Sequence, residues 1–180
     1  MKILHYSDKG AADFLTLYAQ CDVLVTTGDL SGFDLAGLGE MKEKKPAFGV
    51  YGNHDFGNYM PEAGIINLHN QVAEFGGWKW GGWQGCLRYK PGAAPMFTEA
   101  EAKEFADTFP AVDVLLLHAG PKGMLDDDSD ELHAGSEQIR RYVLSKRPKV
   151  VFCGHQYEDG ETEAEGIRIF RTFGARIIEI

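Results

Sequence analysis

Short apolar runs alternate with helix-spaced apolar positions along the first third of the chain. Residues 2–6 form an apolar run, and Ala11, Phe14, Leu15 and Tyr18 then recur at the spacing of one helix face. Residues 22–27 are apolar and β-branched, and Gly28-Asp29 ends them. Leu35, Leu38 and Met41 predict a second helix, although Gly37 and Gly39 are poor helix formers. Residues 46–51 read as a third strand, stopped by Gly52-Asn53. Three strand–helix units of this kind predict a parallel sheet with helices outside it.

The middle of the chain has a different texture. Residues 65–89 are rich in glycine, tryptophan and β-formers, with turn signals at Asn70 and Gly76-Gly77, which predicts antiparallel hairpins. Thr98 followed by Glu101 forms a capping box ahead of the apolar stripe Ala102, Phe105, Ala106 and Phe109. The run 112–117, apolar but for Asp113, predicts a strand buried on both faces. An acidic loop follows at 126–131, and Ser136 caps a helix through Ile139, Tyr142 and Val143. A further buried strand at 149–153 ends in Gly154-His155, and strands at 167–172 and 176–180 close the chain. There is no internal repeat, linker or low-complexity tract. The economical arrangement is one α/β domain over residues 1–180, with two stacked sheets and outer helices.

Composition narrows the function. At 180 residues the chain suits one domain, and 44% hydrophobic with 25% charged residues is a globular balance. The formal charge of -9 opposes loose binding to nucleic acid or an anionic membrane. It does not oppose nucleotides or another small phosphorylated substrate, because a bound cation inverts the local field. No apolar run approaches the ~20 residues of a membrane helix, and the first residues lack a signal core, which predicts a cytoplasmic protein. Cys21, Cys86 and Cys153 form no CxxC pair and read as buried thiols.

The polar residues of interest obey a positional rule. Asp8, Asp29, Asn53, His118 and His155 each stand at or just past the C-terminal end of a predicted strand, the edge where open α/β sheets bind ligands. Each has an ordinary explanation alone, as a turn residue or a satisfied core histidine. Five metal-ligand types on five strand ends are not an ordinary coincidence.

With these residues in place, the chain resembles the calcineurin-like metallophosphoesterase superfamily. The matching words are Ser7-Asp8-x-Gly10, Gly28-Asp29, Gly52-Asn53-His54-Asp55, His118-Ala119-Gly120-Pro121 and Gly154-His155, in the family's order. The segments Gly81-Gly82-Trp83 through Arg88-Tyr89, and Thr98-Glu99, also look like small bacterial members. The resemblance implies a four-layer α/β/β/α sandwich of two mixed sheets with a two-metal site between the strand ends. A phosphate ester needs its charge neutralised and a nucleophile made from water. Two divalent ions about 3.5–4 Å apart clamp the ester and lower the pKa of a bridging water. By motif, Asp29 looks like the bridge, with Asn53, His118 and His155 completing one site and Asp8 the other. His54 would not bind metal but would stabilise the transition state or protonate the leaving oxygen.

Two departures fall on one half of that site. The family's Asp-x-His is here Asp8-Lys9-Gly10, and its Gly-His-x-His is Gly154-His155-Gln156-Tyr157. The expectation is one tight and one weak site, the weak one preferring manganese or magnesium, the tight one suited to manganese, zinc or iron. Glu158 or Asp159 could substitute, or Lys9 could supply a fixed charge; strand parity turns His5 away from Asp8. Arg88 and His133 are candidate substrate contacts, against ordinary roles in a strand and a loop. Trp78, Trp80 and Trp83 read as sheet packing rather than a base-stacking lip, and Asp126, Asp127 and Asp128 as a solvated run rather than a calcium loop. The expected function is hydrolysis of phosphomonoesters or phosphodiesters, a metallophosphoesterase of the cytoplasm. The alternatives are a catalytically impaired binding or scaffold protein, or a nucleotide-binding regulatory domain. Substrate identity and oligomeric state are not encoded in any motif.

Overall fold

Two mixed sheets stack face to face, and helices cover both outer faces. The computed structural model describes residues 1–92, 95–126 and 129–180. Asp127 and Asp128, placed in the acidic loop by the sequence, lie outside the described residues. The first sheet joins β1 (Lys2–Ser7), β2 (Val23–Thr26), β3 (Ala47–Gly49), β4 (Ile66–Asn67) and, at the far end of the chain, β13 (Gly174–Glu179). Its order is β13-β1-β2-β3-β4, parallel except for the β1–β13 pair. The second sheet joins β5 (Val72–Phe75), β6 (Trp78–Trp83), β9 (Val114–Leu117), β10 (Val150–Cys153), β11 (Gly160–Ala164) and β12 (Ile167–Arg171). Its order is β11-β12-β10-β9-β6-β5, with the four central strands parallel and both edges antiparallel. The short strands β7 (Cys86–Leu87) and β8 (Met96–Phe97) form a separate parallel pair.

Three apolar cores separate the four layers. Ile3, Val25 and Phe48 of the first sheet meet Trp80, Leu116 and Phe152 of the second between the sheets. Helices α1 (Phe14–Gln20) and α2 (Met60–Ala63) cover the outer face of the first sheet through Phe14, Tyr18 and Met60. Helices α3 (Glu99–Thr108) and α4 (Glu137–Lys146) cover the second through Phe105, Ile139 and Tyr142. The predicted caps form: Thr98 and Glu101 make the capping box of α3, and Ser136 caps α4.

Two expectations need correction, and one strand was not anticipated. Leu35, Leu38 and Met41 do not lie on a helix. Residues 32–40 are successive turns with three-residue hydrogen bonds, such as Leu38 N–H to Leu35 O at 3.1 Å. Residues 65–89 contain one hairpin, β5–β6, turned by Gly76 and Gly77, both at positive φ. The flanking strands instead pair in parallel, β4 with β3 and β6 with β9. Strand β11 has no signal in the sequence pattern, because its residues, GETEA, are polar and lie at a sheet edge. Trp78 and Trp80 belong to the core between the sheets, and Trp83 rests on Phe105 on the other face. The three cysteines are buried and free. No helix of the described residues is long and apolar enough to cross a membrane.

Candidate metal centre

Parallel pairing brings the C-terminal ends of β1, β2, β3, β9 and β10 to one edge, where the sandwich is open. The turns that leave these strands are tight. Asp8, Asp29 and His155 all adopt positive φ, 64°, 53° and 67°. That conformation is uncommon outside glycine and stores on the order of 1 kcal/mol at each residue. The neighbouring glycines are required by crowding. A Cβ at Gly52 would overlap Asp29 Oδ1 and come within 2.6 Å of His118 Cε1, and one at Gly154 would overlap Ser7 Oγ and Asp8 Oδ2.

Backbone carbonyls set the imidazole tautomers. His118 Nδ1–H donates to Thr27 O at 2.6 Å, which leaves Nε2 with its lone pair. His155 Nε2–H donates to Leu132 O at 2.8 Å, which leaves Nδ1 with its lone pair. The Asn53 amide donates to Tyr89 Oη at 3.4 Å, so its oxygen faces inward. Around His118 Nε2 stand Asn53 Oδ1 at 2.9 Å, His155 Nδ1 at 3.1 Å and Asp29 Oδ2 at 3.5 Å. Four acceptor atoms thus converge with no donor among them. Neutral tautomers would repel one another there, and a cation satisfies all four. The donor set therefore fits a divalent ion with imidazole, amide and carboxylate ligands. Carboxylate oxygens of Asp8 and Asp29 and a nitrogen of His118 also lie within 4.8 Å of one another, which joins Asp8 to the same centre.

Burial and the neighbouring charges perturb the titratable groups of the cluster in different directions. Burial alone would lower the pKa of His118, but the carboxylates of Asp29 and Asp8 outweigh it and raise it. Burial, and then the adjacent His118, push His155 down to about 3. Burial raises Asp8 to about 6, against the opposing pull of His118 and the Ser7 hydroxyl. Asp8 accepts the His155 backbone N–H at both oxygens, 3.1 and 3.0 Å, and the Ser7 hydroxyl at one.

Asp55, the last residue of the Gly52-Asn53-His54-Asp55 motif, has a role that the sequence pattern does not assign. It accepts the backbone N–H groups of Gly52 at 2.6 Å, Leu30 at 2.8 Å and Asp29 at 3.0 Å, and the Tyr59 hydroxyl at 3.2 Å. It ties the loop after β2 to the loop after β3 and so fixes Asp29 relative to Asn53. Its position after His54 is the available signal. His54 itself is exposed, its N–H bound to Asp29 Oδ1 at 2.7 Å. It lines a 240 Å³ cleft with Asp29, Ser31, Asp34 and Phe56. His133 stands beside the centre, 5.1 Å from the His155 ring, with Nδ1 on Asp130 at 2.5 Å. Arg88 is engaged elsewhere, donating to Met96 O at 2.9 Å near Glu101. A larger cavity of 830 Å³ beside α3, lined by His69, Trp83 and Phe97, shares no residue with that cleft.

Tyr157, which stands where the resemblance expects a histidine, and the residues offered as substitutes are engaged with other partners. Tyr157 is 72% exposed against His133 and Phe173. Glu158 pairs with Arg171 at 2.8 Å, Asp159 accepts the Phe173 N–H at 2.8 Å, and Lys9 lies over the Phe173 ring. His5 is buried between Thr27 and Thr172 hydroxyls.

A four-layer sandwich with carboxylates, an amide and imidazoles on its strand ends defines the metallophosphoesterase class of fold. The model of the calcineurin-like phosphoesterase superfamily domain matches residues 1–172, and the chain belongs to that superfamily of metal-dependent phosphoester hydrolases. A search of curated protein sequences finds no match. Among solved structures the fold is similar to the protein TT1561 of Thermus thermophilus, with TM-score 0.66 and 16% identity, over 94% of this chain and 88% of that one. It is also similar to phosphopantetheinyl hydrolase from Mycobacterium tuberculosis, with TM-score 0.59 and 13% identity, over 94% and 88%. Vacuolar protein sorting 29 from Cryptosporidium parvum matches with TM-score 0.51 and 15% identity, over 94% and 72%.

Proposed function

We propose that the protein hydrolyses small phosphomonoesters or phosphodiesters, with His54 as the proton donor to the leaving oxygen. The observation that carries this reading is the convergence of four acceptor atoms, one of them on Asp29, whose carboxylate also holds the backbone N–H of the exposed His54 and lines a cleft with it. Asp29, Asn53, His118 and His155 would hold one divalent ion, and Asp8 with Asp29 the other. Bound there, such ions supply charge neutralisation and a nucleophile drawn from water at neutral pH. The chain's own groups do the rest. Thr27 O and Leu132 O hold the imidazoles in the ligating tautomers. Asp55 keeps the two ligand loops in register, and the His54 backbone N–H on Asp29 fixes the imidazole's starting point above the cleft. As the oxygen of a water adds to phosphorus and the P–O ester bond breaks, a His54 ring N–H would give its proton to the departing oxygen. A small substrate rather than a long nucleic acid suits the chain's formal net charge of -9. Manganese suits both halves of the donor set, and zinc or iron suits the histidine-rich half.

The test is a chromogenic monoester and diester assay with chelator and with added manganese. Chelator-sensitive, manganese-restored turnover that falls in His54→Ala supports the reading. Bound metal without turnover on either ester class would favour a binding protein, the reading that Gly10 and the outward Tyr157 leave open.

A further inference from the structure

We infer that the cavity beside α3 is a second binding site, for a small aromatic amine that carries a positive charge and a hydrogen-bond acceptor on its ring. No candidate metal ligand lines it, and neither does His54, so it lies beyond the phosphoesterase reading and does not depend on it. At 830 Å³ it falls within the roughly 300–1,000 Å³ of small-molecule sites. Strand alternation builds its aromatic side. Trp78 and Trp80 of β6 face the core between the sheets, and Trp83 faces the other way, towards α3. There its ring centroid stands 5.5 Å from that of Phe97 and 4.7 Å from that of Phe105, and Phe105 stacks on Phe109 at 4.6 Å. All four rings line the cavity. One stripe of α3 supplies a wall: Glu101, Glu104, Phe105 and Thr108 recur at the three- and four-residue spacing of a helix face.

Three features define the occupant. The rings offer faces that attract both flat ring systems and organic cations. The charge of the lining has one sign. Glu101 and Glu104 contribute to it, and among the described residues no lysine or arginine does. Glu101 serves the capping box of α3 and lies 3.9 Å from Arg88. Glu104 makes no ion pair among the described residues, which leaves its charge to a ligand. His69, also in the lining, adds no opposing charge: burial lowers its pKa, and its Nδ1 accepts the Gln84 N–H at 3.3 Å, as a neutral ring does. The third feature is the Trp83 indole N–H. It is buried and has no acceptor among the described residues. Buried donors of this kind are rare in native folds. A ring nitrogen on the ligand supplies the missing acceptor. A phosphorylated compound is the wrong occupant, because its negative charge would meet carboxylates with no cation beside them. The ligand of this cavity and the substrate of the metal centre are therefore opposite in charge.

The experiment is calorimetric titration, in chelator, with an ethylamine, an acetamide and an acetate carried on the same quinoline ring. The three probes share a ring acceptor and differ in charge. The amine should bind tightest and the carboxylate weakest, about 10-fold apart. Glu104→Gln should weaken the amine by about 3–5-fold and leave the amide unchanged. Trp83→Phe keeps a ring and removes the N–H, and should weaken all three probes by about 3–10-fold. Thr108→Trp, on the exposed face of α3, should fill the cavity and abolish binding of all three. Glu62→Gln, which removes an exposed carboxylate from α2 outside the cavity, should change none. Circular dichroism confirms that each variant folds, and the two α3 variants carry the test if Trp83→Phe does not. Equal affinity for amine and carboxylate, or wild-type amine affinity in Glu104→Gln, would overturn the charge assignment. Unchanged affinities in folded Trp83→Phe would overturn the acceptor. An amine Kd weaker than about 1 mM would overturn the site itself. Each of these leaves the phosphoesterase reading standing, because no probe is a phosphoester and the chelator removes the metal.

Discussion

His118 and His155 show how backbone atoms prepare a side-chain site. Each ring spends one nitrogen on a carbonyl, and the remaining two lone pairs face each other at 3.1 Å. Changing either residue to Ala should strip the tight ion, because one ligand of four is lost; metal content after dialysis is the measurement. Full retention in both variants would mean the ion binds elsewhere. His54 has a different signature. His54→Ala should lower turnover ~10²–10⁴-fold while metal content holds. An unchanged rate would remove it from the chemistry. Asp8 carries a pH dependence whose sign follows from its raised value. Burial lifts it from 3.8 to about 6, so the folded, metal-free protein holds that proton more tightly than the unfolded chain. Its contribution is favourable below 3.8 and is lost as pH rises towards 6. In chelator, wild type should lose stability across this window relative to Asp8→Asn, by on the order of 2–3 kcal/mol. Denaturant midpoints of both proteins at pH 4 and pH 7 check it. Parallel midpoints would show that Asp8 is not the group being desolvated.

At the scale of elements, the sequence was most legible where one physical signal dominated. The runs 114–117 and 150–153 are apolar throughout because strands β9 and β10 are buried on both faces. The candidate ligand positions stood out because each lies at or shortly past the C-terminal end of a largely buried strand. The failures have equally specific causes. Leu35, Leu38 and Met41 have helical spacing, but Gly37 at φ 86° interrupts the backbone, and turns give the same apolar period. The glycine and tryptophan of 65–89 signalled strands but not their partners, since parallel pairing with β3 and β9 depends on residues far along the chain. Asp55 was in view as a letter of a motif, yet its role exists only once two loops meet. Asp55→Asn keeps the shape but loses the charge that draws three backbone N–H groups and the Tyr59 hydroxyl. It should loosen both ligand loops and weaken binding of the first ion, by roughly 10–100-fold. Manganese titration of the folded variant is the check, and wild-type affinity would show that the loops hold their register without it.

Across the whole molecule the centre is also a fastening between the two sheets. Asp8, Asp29 and Asn53 follow strands of the first sheet, and His118 and His155 follow strands of the second. Without a cation, direct hydrogen bonds across this edge include His118 Nδ1–H on Thr27 O at 2.6 Å and the His155 N–H on Asp8 at 3.0 Å. The apolar core between the sheets holds them together in any case, so a metal-free chain should still fold. A bound ion adds stability through linkage, because the unfolded chain does not present these five residues together. At an ion concentration 100-fold above Kd the gain is about 2.7 kcal/mol. For a chain of this size each kcal/mol moves Tm by roughly 2–4 °C, so manganese should raise Tm by roughly 5–10 °C. Chelator should reverse the shift, and His118→Ala should abolish it while keeping its own transition cooperative. Magnesium alone should give a smaller rise, since it matches the oxygen ligands of the Asp8 half better than the imidazoles of the other. Thermal melts of wild type and His118→Ala in chelator, manganese and magnesium separate these cases. An equal manganese shift in both proteins would place the stabilising ion outside the strand-end cluster, and the fastening would have to be sought elsewhere in the fold.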